Sequence, residues 1–366
     1  MLEAGEALWR NDPLTSHNAT SEQSELRELV CPEELGRLLA DSLQDPAWQD
    51  MTWTLITGGK SNLTFELTSA SGQLVLRRPP RGPLLPRAHD MGREVRVLHA
   101  LANTTVPVPE VVVQDTTSST IGAPFYVMEK VSGHVLRDEM PDDYARTADE
   151  RRAIADSLVD VLAALHALDP DELGLADFGR PAGFLARQIK RWRDQWEASR
   201  TSEVPAVDAL ANELAVRMPE SPPPAVVHGD FRLDNCLMSR NEPSTVAAVL
   251  DWELSTLGDP LTDVGLLLFY WREVGEAQRL LSPTVTTLPG FPGRDHLVDR
   301  YVAHTGRNVD AIHFYEAFAH FKFAVIAQGI AARVAGGAMA GQDFGDLSDE
   351  IIRIAEEGLA IIGRSA

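Results

Sequence analysis

The chain has 366 residues, 44% of them hydrophobic and 24% charged, which is enough apolar material for two domains or for two lobes around one cleft. Its formal net charge of −21 is spread along the whole length, which argues against duplex nucleic acid as a partner, since phosphate binding needs a basic face. A cationic ligand or plain solubility would suit that charge. Two distant cysteines, Cys31 and Cys236, can build neither a disulfide framework nor a zinc site. With no apolar run of about 20 residues and no signal sequence, a reducing, cytoplasmic setting without a membrane partner is expected.

Residues 1–25 are polar and read as a loosely docked arm. From Ser24 to Leu43 apolar positions recur at helical spacing, with Pro32 at a break or a helix start. Trp53–Thr57, Leu63–Leu67 and Gln73–Arg77 read as three strands, separated by turn chemistry at Gly58–Asn62 and Ser69–Gly72 and stopped by Pro79 and Pro80. His89–Asn103 is a predicted helix with Glu94, Val97, Leu98 and Leu101 on its inner face. Pro107–Val113 and Phe125–Glu129 add strands. Helices are then predicted over 148–168, 183–199, 206–218, 262–271, 294–305, 309–334 and 348–362. Among them lie a stiff Ser221–Pro224 connector, two short strand-like runs at Ala225–Val227 and Val246–Leu250, and a glycine-rich break at Gly336–Gly341. The expected fold is α+β: an arm over 1–25, a strand-rich lobe over 26–130 and a mainly helical lobe over 131–366.

The chemistry concentrates in Val227-His228-Gly229-Asp230-Phe231-Arg232-Leu233-Asp234-Asn235-Cys236, followed by Asp251 in Leu250-Asp251-Trp252-Glu253. Phosphoryl transfer needs a carboxylate to orient the acceptor hydroxyl and accept its proton, and hard oxygen ligands for magnesium. An Asp and an Asn five residues on put both groups on one loop, and an Asp after the next strand completes the set. Asp230 is then the base or hydroxyl orienter, with Asn235 and Asp251 on magnesium. Arg232 either pairs with phosphate or with Asp230, or braces the loop. His228 is expected to pack under the loop and bond the backbone, and Cys236 to point into the core.

His-Gly-Asp-x-x-x-x-Asn followed by Asp-Trp resembles the aminoglycoside phosphotransferase and choline kinase superfamily, over about residues 50–360. Gly258-Asp259-Pro260-Leu261-Thr262-Asp263 matches its Gly-Asp-Pro-x-x-Asp signature, whose acids would buttress the loop. Gly59-x-Ser61-Asn62, Arg77-Arg78-Pro79-Pro80 and Asp251-Trp252-Glu253 are similar to a narrower group, the kinase-like domains found with acyl-CoA dehydrogenases and their stand-alone bacterial relatives. The resemblance implies a two-lobed protein-kinase-like fold, a small antiparallel β lobe with one helix and a larger helical lobe. It also implies a nucleotide donor, ATP with GTP as the other candidate. Gly59, Ser61 and Asn62 would then form the phosphate loop. Arg77 would fill the usual lysine's slot, with Arg78 the alternative if the register slips, and Glu94 would be its partner. Phe125–Val131 would receive adenine, with Met128 behind it and Glu129 and Val131 at the hinge.

The acceptor is expected to be a small hydroxylated molecule, aminoglycoside-like or of hydroxyacyl type, bound in the aromatic-rich helical lobe of a monomer or homodimer. Two readings stand: an active small-molecule kinase, or a nucleotide-binding pseudokinase serving as sensor or scaffold. A protein kinase fits less well, since no Ala-Pro-Glu segment follows Asp251.

Overall fold

Two short helices precede the sheet: α1 (Ala19–Val30) and α2 (Pro32–Leu43). The helical pattern from Ser24 to Leu43 is thus two helices. Between them Cys31 sits in the left-handed region (φ 47°), and Pro32, which has no N–H to leave unpaired, starts the second. The computed structural model describes residues 19–56, 62–81, 89–277, 279–336 and 346–365. Residues 1–18 of the predicted arm, Gly58–Ser61 of the glycine turn and 337–341 of the later glycine-rich break lie outside them. The chain divides into two compact units, residues up to Val135 with Ala247–Glu253, and Leu136–Val246 with Leu254 onward.

In the first unit, β1 (Thr52–Leu55), β2 (Leu63–Ser69), β3 (Gly72–Arg78), β4 (Val111–Asp115) and β5 (Phe125–Glu129) form an antiparallel sheet in the order β1-β2-β3-β5-β4. The helix α3 (Met91–Leu101) intervenes between β3 and β4, and a two-residue strand β6 (His134–Val135) ends the segment. Period-two alternation sorts the side chains. Phe65, Leu67, Leu74, Leu76, Phe125 and Val127 join Leu35, Leu39 and Trp48 in one core. The opposite parity on β3 and β5 carries Val75 and Arg77 against Met128 and Tyr126 in register.

Arg77 and Arg78 therefore point to opposite faces, as alternation requires. Arg78 is not idle either. It is buried, and its Nη1 donates to the Leu29 carbonyl at 2.6 Å. Leu29 lies in the last turn of α1, where carbonyls lack intrahelical partners. Arg78→Ala is expected to cost about 1.5–3 kcal/mol of stability while leaving nucleotide affinity unchanged. Urea unfolding beside a nucleotide titration checks both halves.

The second unit is mainly helical: α4 (Ala148–Ala167), α5 (Phe184–Ser199), α6 (Pro205–Val216), α7 (Leu261–Tyr270), α8 (Arg294–Thr305), α9 (Ile312–Ala335) and α10 (Ser348–Ile362). The Thr147 hydroxyl accepts from the Glu150 N–H while the Glu150 carboxylate accepts from the Thr147 N–H, so α4 starts on a reciprocal cap. α9 is apolar on nearly every side and packs against α5, α6, α7 and α10, as a central helix must. Four short strands carry the loops of interest: β7 (Ala225–Val227), β8 (Cys236–Met238), β9 (Val246–Val249) and β10 (Thr256–Gly258). From Ala247 onward β9 counts with the first unit. β10 pairs antiparallel with β7, Thr256 opposite Val227, and was not expected. The α+β architecture itself, an antiparallel sheet with an inserted helix and a mainly helical remainder, is the one expected.

Candidate functional site

In the first unit, the face of the sheet that carries Arg77 gathers charge. The Arg77 Nε lies 3.0 Å from Glu94 Oε2, and its Nη2 lies 2.5 Å from Asp251 Oδ1 and 3.6 Å from Glu253 Oε2. Glu94, only 1% exposed, also accepts from Tyr126 Oη at 2.8 Å and from Asn62 Nδ2 at 3.0 Å. Burial by itself would pull the Arg77 pKa down, but Tyr126 and the three carboxylates push it well above the ordinary value. Burial raises that of Glu94 against the pull of Arg77. Asp251 reaches this cluster by a sharp backbone turn. It takes up a left-handed conformation (φ 66°), which aspartate tolerates better than most residues, and Trp252 Nε1 donates back to the Val249 carbonyl at 3.0 Å.

In the second unit, the loop after β7 is fixed from below. The buried Asp263 carboxylate accepts the N–H of His228 at 2.6 Å and of Gly229 at 2.8 Å, with His166 Nε2 at 3.3 Å. Burial would raise the pKa of Asp263; the His166 ring and the Gly229 amide hold it below the usual carboxylate range. Gly229 is required here: at φ 85° an added Cβ would stand 2.7 Å from the Leu254 carbonyl oxygen. His228 is fully buried, and its Nδ1 accepts from the Asp230 N–H at 3.2 Å. The loop then presents Asp230, whose Oδ2 accepts from Asn235 Nδ2 at 3.0 Å; the same nitrogen donates to the Asp230 carbonyl at 2.8 Å. Arg232 spans two acids, with Nε 3.3 Å from Asp230 Oδ2 and Nη1 3.3 Å from Asp234 Oδ2, and its guanidinium lies over the Tyr270 ring.

The first unit thus brings together Asn62, Arg77, Glu94 and Asp251, and the second brings together Asp230, Arg232 and Asn235. Gly59 and Ser61 lie outside the described residues. Met128 shares the face of Arg77 and Tyr126. The Glu129 side chain is exposed and its N–H is taken by the Glu110 carbonyl at 2.9 Å, while Val131 follows β5 half-buried. Sequence reasoning missed His89 and Lys322, and it quoted Tyr126 and Glu253 within longer motifs without giving either a role of its own. Lys322 Nζ donates to the Gly229 carbonyl at 2.8 Å. Burial pulls its pKa down, and Asp230 and Asp263 push it back up. Beside it opens a cavity of about 110 Å³, also lined by Arg191, Gln188, Trp192 and Phe318. A lone lysine in the otherwise apolar run of α9 was the available signal.

Residues 52–297 match the model of the phosphotransferase enzyme family. The chain is 38% identical over 303 residues to mouse acyl-CoA dehydrogenase family member 10, covering 81% of this chain and 28% of that protein. It is 38% identical over 321 residues to rat acyl-CoA dehydrogenase family member 11, covering 86% and 41%. The chain therefore spans less than half the length of these curated relatives. Among solved structures, a Ralstonia eutropha protein assigned to the aminoglycoside phosphotransferases is 34% identical with a TM-score of 0.78, covering 91% of this chain and 98% of that one. A thermostable mutant of the aminoglycoside phosphotransferase APH(4)-Ia, solved with ADP and hygromycin B, is 16% identical with a TM-score of 0.58, covering 91% and 99%, a likeness of fold alone.

Proposed function

The chain belongs to the phosphotransferase enzyme family, and from that premise we propose that it moves the γ-phosphoryl group of ATP, or of GTP as second donor, to the hydroxyl of a small molecule. The carrying observation is the pairing of Asp230 with Asn235 on a loop held by Asp263 and Lys322. Asp230 orients the acceptor hydroxyl and takes its proton as the new O–P bond forms and the bond to the nucleoside diphosphate breaks. Arg232, already on Asp230 and Asp234, fixes the base and stands ready for phosphoryl charge. Arg77, oriented by Glu94, grips the donor phosphates together with the Gly59–Asn62 segment. The strand and hinge at Met128, Glu129 and Val131 receive the base.

Asn235 and Asp251 suit magnesium, a hard cation that prefers oxygen donors. The Asn235 Nδ2 is committed to Asp230, which turns its Oδ1 the other way, as a cation ligand needs. Magnesium would supply neutralisation of charge on the transferring phosphates. Lys322 and Arg191 on the cavity beside Gly229 favour an acceptor of hydroxyacyl or hydroxy-acid type over a polycationic aminoglycoside. The names of the acyl-CoA dehydrogenase relatives lean the same way. Two free cysteines, with Cys236 buried, agree with a reducing cytoplasmic setting, and among the described residues no helix is long and apolar enough to cross a membrane.

The test is ADP formation from ATP with a panel of hydroxyacyl thioesters, hydroxy acids and kanamycin, with magnesium and with chelator. Magnesium-dependent turnover on the acyl members and none on kanamycin is expected. Tight nucleotide binding without turnover on any acceptor would instead make the chain a nucleotide-binding sensor.

A further inference from the structure

The polar groups around Arg77 close into a ring inside the first unit. Arg77 Nε meets Glu94 Oε2 at 3.0 Å, and Glu94 Oε1 accepts from Asn62 Nδ2 at 3.0 Å. The same Asn62 nitrogen donates to Glu253 Oε2 at 3.1 Å, and Glu253 Oε2 returns to Arg77 Nη2 at 3.6 Å. The remaining Asn62 atom is used too: His89 Nδ1 lies 2.7 Å from Oδ1. The two carboxylates fix which way the amide points, because the flipped amide would turn oxygen toward both of them. Asn62 is 4% exposed. Its side chain is consumed by protein partners.

We propose that Asn62 and Glu253 are positioning residues whose task is to aim the Arg77 guanidinium, and that Asn62 does not itself touch the nucleotide through its side chain. The physical need is specific to arginine. A guanidinium is a rigid planar fork, and one carboxylate leaves it free to rotate about that contact. Glu94 holds Nε, Asp251 takes Nη2, and Glu253, pinned by the Asn62 amide, braces the same nitrogen from a second direction. A lysine ammonium has no plane to orient and would not need the brace. The ring is thus the accommodation that lets arginine serve here. It rests on the reading that Arg77 grips donor phosphates.

The experiment is a cycle of Glu253→Gln, Arg77→Lys and the double variant in the full chain, with Asn62→Ala alongside, titrated calorimetrically with magnesium ATP and separately with adenosine. Glu253→Gln and Asn62→Ala are expected to weaken ATP about 10–100-fold, the range set by losing a charge-assisted hydrogen bond. Adenosine, which has no phosphates, should bind unchanged. In the Arg77→Lys background Glu253→Gln should add little. Equal loss for ATP and adenosine would make the ring merely structural, and additive effects would mean that Glu253 does not act through Arg77; either overturns the proposal. Should the wild-type chain bind no nucleotide, the donor reading fails. The ring is then judged by the same cycle on thermal midpoints, where additivity again overturns it.

Discussion

Asp230→Ala is expected to lower turnover by about 10²–10⁴-fold or more, with the fold and most of the nucleotide affinity intact. The loop's supports do not run through that side chain. Asp263 holds the amides of His228 and Gly229, Lys322 holds the Gly229 carbonyl, and His228 takes the Asp230 N–H, a main-chain group that alanine keeps. Asn235 would lose its bond to Oδ2 but retain the one to the residue 230 carbonyl at 2.8 Å, so its amide stays oriented. Arg232 would still have Asp234. What is lost is the carboxylate that aligns the acceptor hydroxyl and takes its proton. Single-turnover rates with saturating ATP, together with an ATP titration, separate chemistry from binding. Turnover within a few-fold of wild type would remove Asp230 from the reaction.

How much of this was legible beforehand depended on how far apart the partners lie in the chain. Asp230 and Asn235 are neighbours on one loop, so their spacing alone announced them. Arg77 and Glu94 came from the resemblance; alternation along β3 added only that Arg77 and Arg78 point to opposite faces. Asn62 was read as a phosphate-loop residue from the resemblance and from its place between the first two strands. Its partners stand 32 and 191 residues away, and no local pattern points to them. Glu253 was quoted beside Asp251 as part of a motif but given no partner, for the same reason. β10 is three residues long, too short to display a period, and it exists because β7 offers an edge to pair with. Arg78 marks another limit. Alternation sets its face, yet periodicity cannot tell an outward arginine from one that meets a carbonyl in the last turn of a helix.

Arg77→Ala should destabilise the chain by about 3–5 kcal/mol near neutral pH, the range for removing one partner of a buried ion pair. The arginine is 13% exposed and faces three carboxylates, on Glu94, Asp251 and Glu253, at 1%, 33% and 20%. Without it these acids repel one another, and Asn62 and Tyr126 supply only neutral hydrogen bonds. Glu94 suffers most. Burial already lifts its pKa above the ordinary value while Arg77 holds it back, so removing Arg77 lifts it further. An acid whose folded pKa exceeds its unfolded one binds more protons when folded, so stability falls as pH rises between the two values and recovers as pH drops through them. The variant should therefore regain stability relative to wild type as the pH falls from neutral toward the ordinary carboxylate range. Denaturant midpoints for both proteins across that range test the point. A deficit that stays constant with pH would mean that Glu94 is not the group left stranded, and no deficit at all would mean that the three acids are not held by Arg77.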